Sequence, residues 1–329
     1  MTNDGRLLRL DGNIDAFGEA LAALKAGKLV GIPTETVYGL AADACDAKAV
    51  AAIFAAKGRP DFNPLIVHVS DAAMANRYVK IALLAEKLIA AFWPGALTLV
   101  LPLRDCTGLA PAVTAGLPTL AVRHPKGVMA DLAKALDRPI AAPSANTSGR
   151  ISATTAQHVM DDLGKKLAIV LDNGPCAVGL ESTIVKVDDG KLTLLREGGI
   201  TAEQIEQVTG MKPAKPETRA IEAPGMLLAH YAPSKPVRLN ATQGAEDEAL
   251  LAFGSQPIAG GCTSLNLSKS GNLEEAAHNL YAFMKALDAT DAHAIAVQAI
   301  PGTGIGRAIN DRLKRAATGA AENHEKAAS

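Results

Sequence analysis

Lys57-Gly58-Arg59-Pro60 sets two cations on either side of a residue with no side chain and ahead of one that stiffens the backbone. Asn63, Pro64 and His68 follow, Asn63 adding polar groups before an apolar run that carries His68 at its end. A loop of this kind can hold a polyphosphate, because charge-assisted hydrogen bonds to phosphate oxygens contribute about 1.5 to 3 kcal/mol each. Taken alone, the two cations equally suit the end of a helix, where they complement its dipole. His68 taken alone is a structural histidine.

Other polar side chains recur where apolar runs end. Gly31 to Leu40 concentrates Thr34, Glu35, Thr36 and Tyr38 behind Leu29 to Ile32, where open α/β sheets place ligands, although a capped turn explains the same residues. Thr119 to Val122 leads into Arg123, whose guanidinium can grip a carboxylate with two parallel bonds or stand exposed at a strand end. Ser144, Asn146, Thr147 and Ser148 follow Pro139 to Ala142, with Ser152 and Thr154 soon after; these suit phosphate or ribose contacts, and equally a loop leading to a helix N-cap. Glu181-Ser182-Thr183 opens another apolar run and Arg196 closes the next. No GxxxxGK[ST], GxGxxG, HExxH or GxSxG occurs in these contexts, so a P-loop, the usual Rossmann nucleotide site and a nucleophilic triad are excluded as readings.

The elements that must position these residues alternate. Ile14, Phe17, Leu21 and Leu24 recur at helical spacing before Gly27, and a second helix is predicted from Asp46, an N-cap type, through Phe54. Further helices are predicted over 81–92, 128–136 and 154–163, and further strands over 65–69, 97–101, 119–122, 139–142, 167–171 and 182–187. The last pairs with 192–196 across Asp188-Asp189-Gly190. The fold class is therefore α/β. Five prolines between Met211 and Pro236 mark an extended linker. Runs at 237–239, 250–253 and 294–297 and a helix through Leu280, Phe283 and Leu287 predict a second, smaller α/β domain.

These boundaries divide 329 residues into a catalytic domain at 1–210, a linker at 211–236, a C-terminal domain at 237–320 and a disordered tail at 321–329, in keeping with the size at which single cores stop growing. Aromatic residues supply only 3% of the chain, so the core must be built from Ala, Leu, Ile and Val. A net charge of −1 gives no global attraction for a polyanion, which argues against an RNA-binding module. The four cysteines form no CxxC pair and read as buried thiols. The first residues have no signal-peptide character and no apolar run reaches membrane length, so the expected location is cytoplasmic, without membrane contact.

Taken in order, PTETVYGL, KGRPDFNPLIVHV, FWPGALTLVL, AVRHP, APSANTSG, ESTIV and LLREG closely resemble the YrdC/Sua5 family of L-threonylcarbamoyladenylate synthases. Ala223-Pro224-Gly225-Met226 to His230-Tyr231-Ala232-Pro233 resembles the linker of the longer Sua5 branch, with Leu227-Leu228 and Ala223 departing from it. The resemblance implies a twisted mixed-sheet YrdC-like domain with a large cationic cavity, a linker reaching over the active site and a small Rossmann-like C-terminal domain. It implies synthesis of threonylcarbamoyl-AMP and pyrophosphate from L-threonine, bicarbonate and ATP, a nucleotidyl transfer that supplies threonylcarbamoylation of adenosine 37 in tRNAs reading ANN codons.

By motif, Lys57 and Arg59 are implied as catalytic, and Lys57, Arg59, Asn63, Thr119, Asn146, Ser152, Arg196 and Tyr231 as the ATP site. Thr34, His68, Arg123, Ser144 and Ser182 are implied to surround L-threonine. Mg²⁺ is expected, held mainly through the ATP phosphates. The product is expected to pass to the tRNA threonylcarbamoyl transferase machinery, with direct tRNA binding weak or absent. Hydrogenase maturation factors share the domain but add an acylphosphatase-like segment and zinc-finger cysteines, which this sequence lacks.

Overall fold

A computed structural model describes residues 5–11, 14–217, 222–225 and 229–328, without the side chains of 14 and 323–328. The chain divides into two units. The first comprises Met1–Ser148, Ala153–Cys176 and Glu181–Met226; the second comprises Gly149–Ser152, Ala177–Leu180 and Leu227–Ser329.

In the first unit the elements run β1 (Arg6–Arg9), α1 (Ile14–Lys25), β2 (Val30–Ile32), β3 (Gly39–Asp43), α2 (Ala47–Lys57), β4 (Ile66–His68), α3 (Ala72–Asn76), α4 (Leu83–Phe92) and β5 (Leu97–Pro102). They continue with β6 (Thr119–Arg123), α5 (Val128–Leu136), β7 (Ile140–Ala141), α6 (Ala156–Leu163), β8 (Ile169–Asp172), β9 (Thr183–Asp188), β10 (Lys191–Arg196) and α7 (Ala202–Thr209). Among the described residues ten strands form one mixed sheet in the order β1-β8-β2-β3-β7-β4-β6-β5-β9-β10. The central strands are largely buried, as in β5, where Leu97, Leu99 and Leu101 are buried, Thr98 is the buried polar exception and only the final Pro102 is partly exposed. Strands covered on both faces read as continuous apolar runs, which is why their positions were legible.

β3 was not predicted. Gly39-Leu40-Ala41-Ala42-Asp43 has no β-branched residue, and the long polar loop expected after β2 is in fact a short turn over 33–38 between antiparallel β2 and β3. Part of the proline-rich segment pairs with the sheet. Ala214 exchanges backbone hydrogen bonds of 2.8 Å with Leu192 and Leu194, adding a bridge to β10 at the edge of the sheet.

α2 delivers the cationic loop. Asp46 caps its first turn, accepting from the amides of Lys48 and Ala49, and Gly58 ends it in the left-handed region at φ 61°. Glycine takes that conformation without a Cβ clash, so the chain turns sharply between Lys57 and Arg59.

The second unit holds a parallel sheet of β11 (Val237–Ala241), β12 (Glu248–Ala252), β13 (Thr263–Asn266) and β14 (Ala294–Gln298), ordered β11-β14-β12-β13. α8 (Leu273–Asp288) follows β13, and α9 (Gly306–Ala328) follows β14. Over 321–328 of the tail expected to be disordered, α9 continues as helix to Ala328, in a segment rich in alanine, the strongest helix former. Leu227 and Leu228, the linker departures, lie outside the described residues.

Asp46→Ala is expected to lower stability by about 1 kcal/mol through loss of the α2 cap, read as a lower urea midpoint. An unchanged midpoint would show that other groups satisfy these amides.

Candidate active site

Lys57 is only 2% exposed, so it does not stand as a solvated cation at the helix end. The ammonium donates to the carbonyl of Ser144 at 2.6 Å and to that of Asn146, while the amide of Ser148 donates to the Lys57 carbonyl at 2.8 Å. Burial, then the Arg59 charge, push its pKa down to about 7. Arg59 folds back over its own loop, donating to the carbonyls of Asn63 at 3.2 Å and Pro64 at 2.8 Å. Asn63 is buried, and its side-chain oxygen has no hydrogen-bond partner among the described residues. The Lys57 ammonium is thus taken out of water and steadied by main-chain carbonyls, which orient it without neutralising it. That arrangement suits an anionic ligand.

A second group forms at the ends of β4 and β6, where His68 and Arg123 are register partners in parallel strands. Arg123, 3% exposed, donates through Nε to the carbonyl of Gly95 at 3.0 Å and through Nη1 to Thr36 Oγ1 at 2.9 Å. Its Nη2 lies 2.8 Å from Glu35 Oε1, an ion contact whose angles fall short of a hydrogen bond. Thr34 closes the 33–38 turn: its hydroxyl donates to the Val37 carbonyl at 2.7 Å and lies 2.8 Å from Thr36 Oγ1. Glu35, seen in the sequence only as one carboxylate of the 31–40 segment, takes a defined place here beside Arg123. Its position between two threonines in the same turn was the available signal.

A third group joins β5, β9 and β10. Ser182 Oγ lies 2.7 Å from Thr98 Oγ1, and Arg196 donates to the Ser182 carbonyl through Nε at 3.0 Å and Nη2 at 2.9 Å, and to the Pro224 carbonyl at 3.3 Å. Gly198 permits this approach, since a Cβ there would meet the Glu181 carbonyl and the Thr183 amide at 2.4 Å. The groups are linked. Ser144 bridges to Gly39 beyond the threonine turn, the Thr183 amide donates to the carbonyl of Ala96 next to Gly95, and the Glu181 charge favours protonated Lys57.

Thr119 is placed apart from these groups. It opens β6 opposite Pro102, about 13 Å of strand from Arg123 at the other end. Ser152 and Tyr231 belong to the second unit. There Ser152 is fully buried, the Ala232 amide donates to the Gly149 carbonyl at 2.8 Å, and the Tyr231 ring stacks on Tyr281 at 5.7 Å with the Arg312 guanidinium over it at 5.1 Å. Among the described residues no three His, Cys, Asp or Glu side chains come together as a metal site, and no helix is long and apolar enough to cross a membrane.

Fold and site together define an α/β protein with buried cations and hydroxyls at the strand ends of a large mixed sheet, and a separate unit built on a parallel sheet. A family model described as "Telomere recombination", for Sua5, YciO and YrdC, matches residues 22–198, and one described as "Threonylcarbamoyl-AMP synthase, C-terminal domain" matches 200–318. Threonylcarbamoyl-AMP synthase of Bacillus subtilis is 39% identical, covering 94% of this chain and 95% of its own, and that of Pyrococcus abyssi 38%, covering 90% and 92%. The crystal structure of P. abyssi Sua5 complexed with L-threonine matches with a TM-score of 0.87 at 34% identity, over 96% of this chain and 98% of that one. Escherichia coli YciO shares the fold of the larger part, with a TM-score of 0.52 at 19% identity over 59% of this chain and 95% of its own. This chain belongs to the Sua5/YrdC family of threonylcarbamoyl-AMP synthases.

Burial, then the Arg123 charge, push the His68 imidazole down to about 3. The unfolded chain takes up this proton near pH 6.5 and the folded chain resists it, so the stability contributed by the neutral ring is whole above about pH 6.5 and is lost as pH falls toward 3. His68→Gln is expected to flatten the fall in urea midpoint across that window. An equal fall in the variant would mean that other groups set the acid limb.

Proposed function

We propose that this chain joins L-threonine, bicarbonate and ATP into threonylcarbamoyl-AMP, releasing pyrophosphate and water. The observation that carries this reading is the pairing, in one unit, of the buried Lys57 and Arg59 with the buried Arg123, three cations oriented by main-chain carbonyls and hydroxyls at neighbouring strand ends. A triphosphate and an amino-acid carboxylate are the anions that such a set would take.

In this reading Lys57, Arg59 and Asn63 face the triphosphate, with Asn146 and Arg196 toward the rest of the nucleotide. Arg123 receives the threonine carboxylate, and Thr34, Ser144, Ser182 and the neutral His68 line the remainder of that subsite. The threonine amine attacks the carbon of bicarbonate and, with loss of water, becomes a carbamate. A carbamate oxygen then attacks the α-phosphorus, and pyrophosphate leaves with the bonding pair. Fixed cations favour this step by neutralising charge on the phosphates and by holding the reacting oxygen in line, the two means by which such transfers are mainly catalysed. Mg²⁺ would enter on the phosphates, with phosphate oxygens and water as most of its ligands.

Thr119, Ser152 and Tyr231 remain assigned to the ATP site by motif. A role for Tyr231 there fits the need to keep water from a carbamate and a mixed anhydride. The product is proposed to serve tRNA threonylcarbamoylation at adenosine 37 in the cytoplasm, through a transferase rather than through direct tRNA binding.

Pyrophosphate release by the purified chain is expected only when ATP, L-threonine and bicarbonate are all present. Release without threonine or bicarbonate would refute the reading. Arg59→Ala is expected to raise KM for ATP by about tenfold or more and Arg123→Ala to do the same for threonine, each leaving the other KM within about twofold. Equal rises in both constants from both variants would show that the two anion subsites are wrongly assigned.

A further inference from the structure

The Lys57 cradle depends on how the 144–148 loop is held, and a carboxylate outside every motif singled out in the sequence holds it. Asp162, near the end of α6, spends both side-chain oxygens on Thr147: Oδ2 accepts from its amide at 2.9 Å and Oδ1 from its hydroxyl at 2.6 Å. Thr147 stands between the two residues that bond Lys57 on either side. Asn146 gives its carbonyl to the ammonium, and the Ser148 amide donates to the Lys57 carbonyl. Just beyond α6, Lys166 donates to the carbonyl of Ala56, the residue before Lys57, at 2.7 Å. One helix end therefore fixes the loop that accepts the ammonium and the last turn that carries it.

We propose that Asp162 is a positioning residue for the ATP subsite, orienting Lys57 toward the triphosphate through Thr147 and the carbonyls of the 144–148 loop. Its role in catalysis rests on the reaction proposed above; its role in ATP binding does not. Asp162 also acts on Lys57 by charge. The charged groups acting on that ammonium are Arg59, which disfavours protonation, and Asp162 and Glu181, which favour it. Loss of the Asp162 charge must move the Lys57 titration, which begins from about 7, to lower pH. A residue that only stiffens the loop would not move it.

The test compares D162N, T147V and D161N in the full chain. Asp161 is the neighbour whose carboxylate accepts from Gln157 on the surface, at 2.6 Å, and serves as the control. D162N is expected to raise KM for ATP by about tenfold, with KM for threonine within about twofold of the starting protein, the size expected from losing charge-assisted bonds at one subsite. The alkaline limb of kcat/KM for ATP should also move to lower pH, because that profile reports groups of the free enzyme. T147V, which removes the hydroxyl bond and keeps the charge, should raise KM for ATP and leave the limb in place, and D161N should match the starting protein.

An unchanged KM for ATP and an unmoved limb in D162N would overturn the proposal, as would equal rises in both Michaelis constants. If D162N does not fold, T147V decides: a selective rise for ATP supports the proposal and no rise overturns it. ATP binding by calorimetry separates this idea from the reaction itself. Should the starting protein release no pyrophosphate with threonine and bicarbonate, binding about tenfold weaker in D162N would still support the positioning role, and equal binding would refute it.

Discussion

An ammonium taken out of water must find oxygen atoms, and in this protein Lys57 finds them on the main chain of a loop nearly ninety positions away in sequence. Two carbonyls, from Ser144 and Asn146, orient the charge without neutralising it. A carboxylate in the same place would have made a stable ion pair and a poor anion site. The carbonyls leave a cation that is desolvated and fixed in direction, its charge favoured by Asp162 and Glu181. Several elements serve this one contact: the cap that starts α2, the glycine that ends it, the short β7 that brings in the 144–148 loop, and the α6 carboxylate that holds Thr147.

Arg123 follows a related rule with a different balance. Gly95 and Thr36 accept hydrogen bonds from the guanidinium, and Glu35, an ion contact at Nη2, supplies formal compensation that Lys57 lacks in its direct contacts. An ion pair whose angles fall short of a hydrogen bond is one that a better-aligned carboxylate can compete with. His68, held neutral beside Arg123, adds polarity without adding a second charge to repel it. The two cationic subsites thus differ in what surrounds them, in keeping with two different anions.

Most strands could be placed from the sequence because buried strands leave a mark in composition. Leu97 to Leu101, but for Thr98, and Leu167 to Leu171 are apolar whichever face they show. β3 left no such mark, its Gly-Leu-Ala-Ala-Asp having no β-branched residue, and α9 read as a tail because its polar, alanine-rich sequence lacks a strong apolar stripe toward its end. The division of the chain also departs from linear order. Residues 149–152 and 177–180 fall with the second unit, although they lie within the length matched by the Sua5, YciO and YrdC model, because compactness follows contacts and contacts need not follow sequence.

By itself the sequence determined the residue types that could do the chemistry and their order: cations at 57, 59, 123 and 196, hydroxyls at 34, 144 and 182, and glycines and prolines that fix the turns between them. Local spacing carries that information because a helix end, a turn and a strand end are short-range structures. Only the tertiary structure decided which groups hold those residues in place. Glu35 at Arg123 and Asp162 at Thr147 act across 88 and 15 positions, and such pairings are set by how strands and helices come together in space, which no periodicity in the chain encodes.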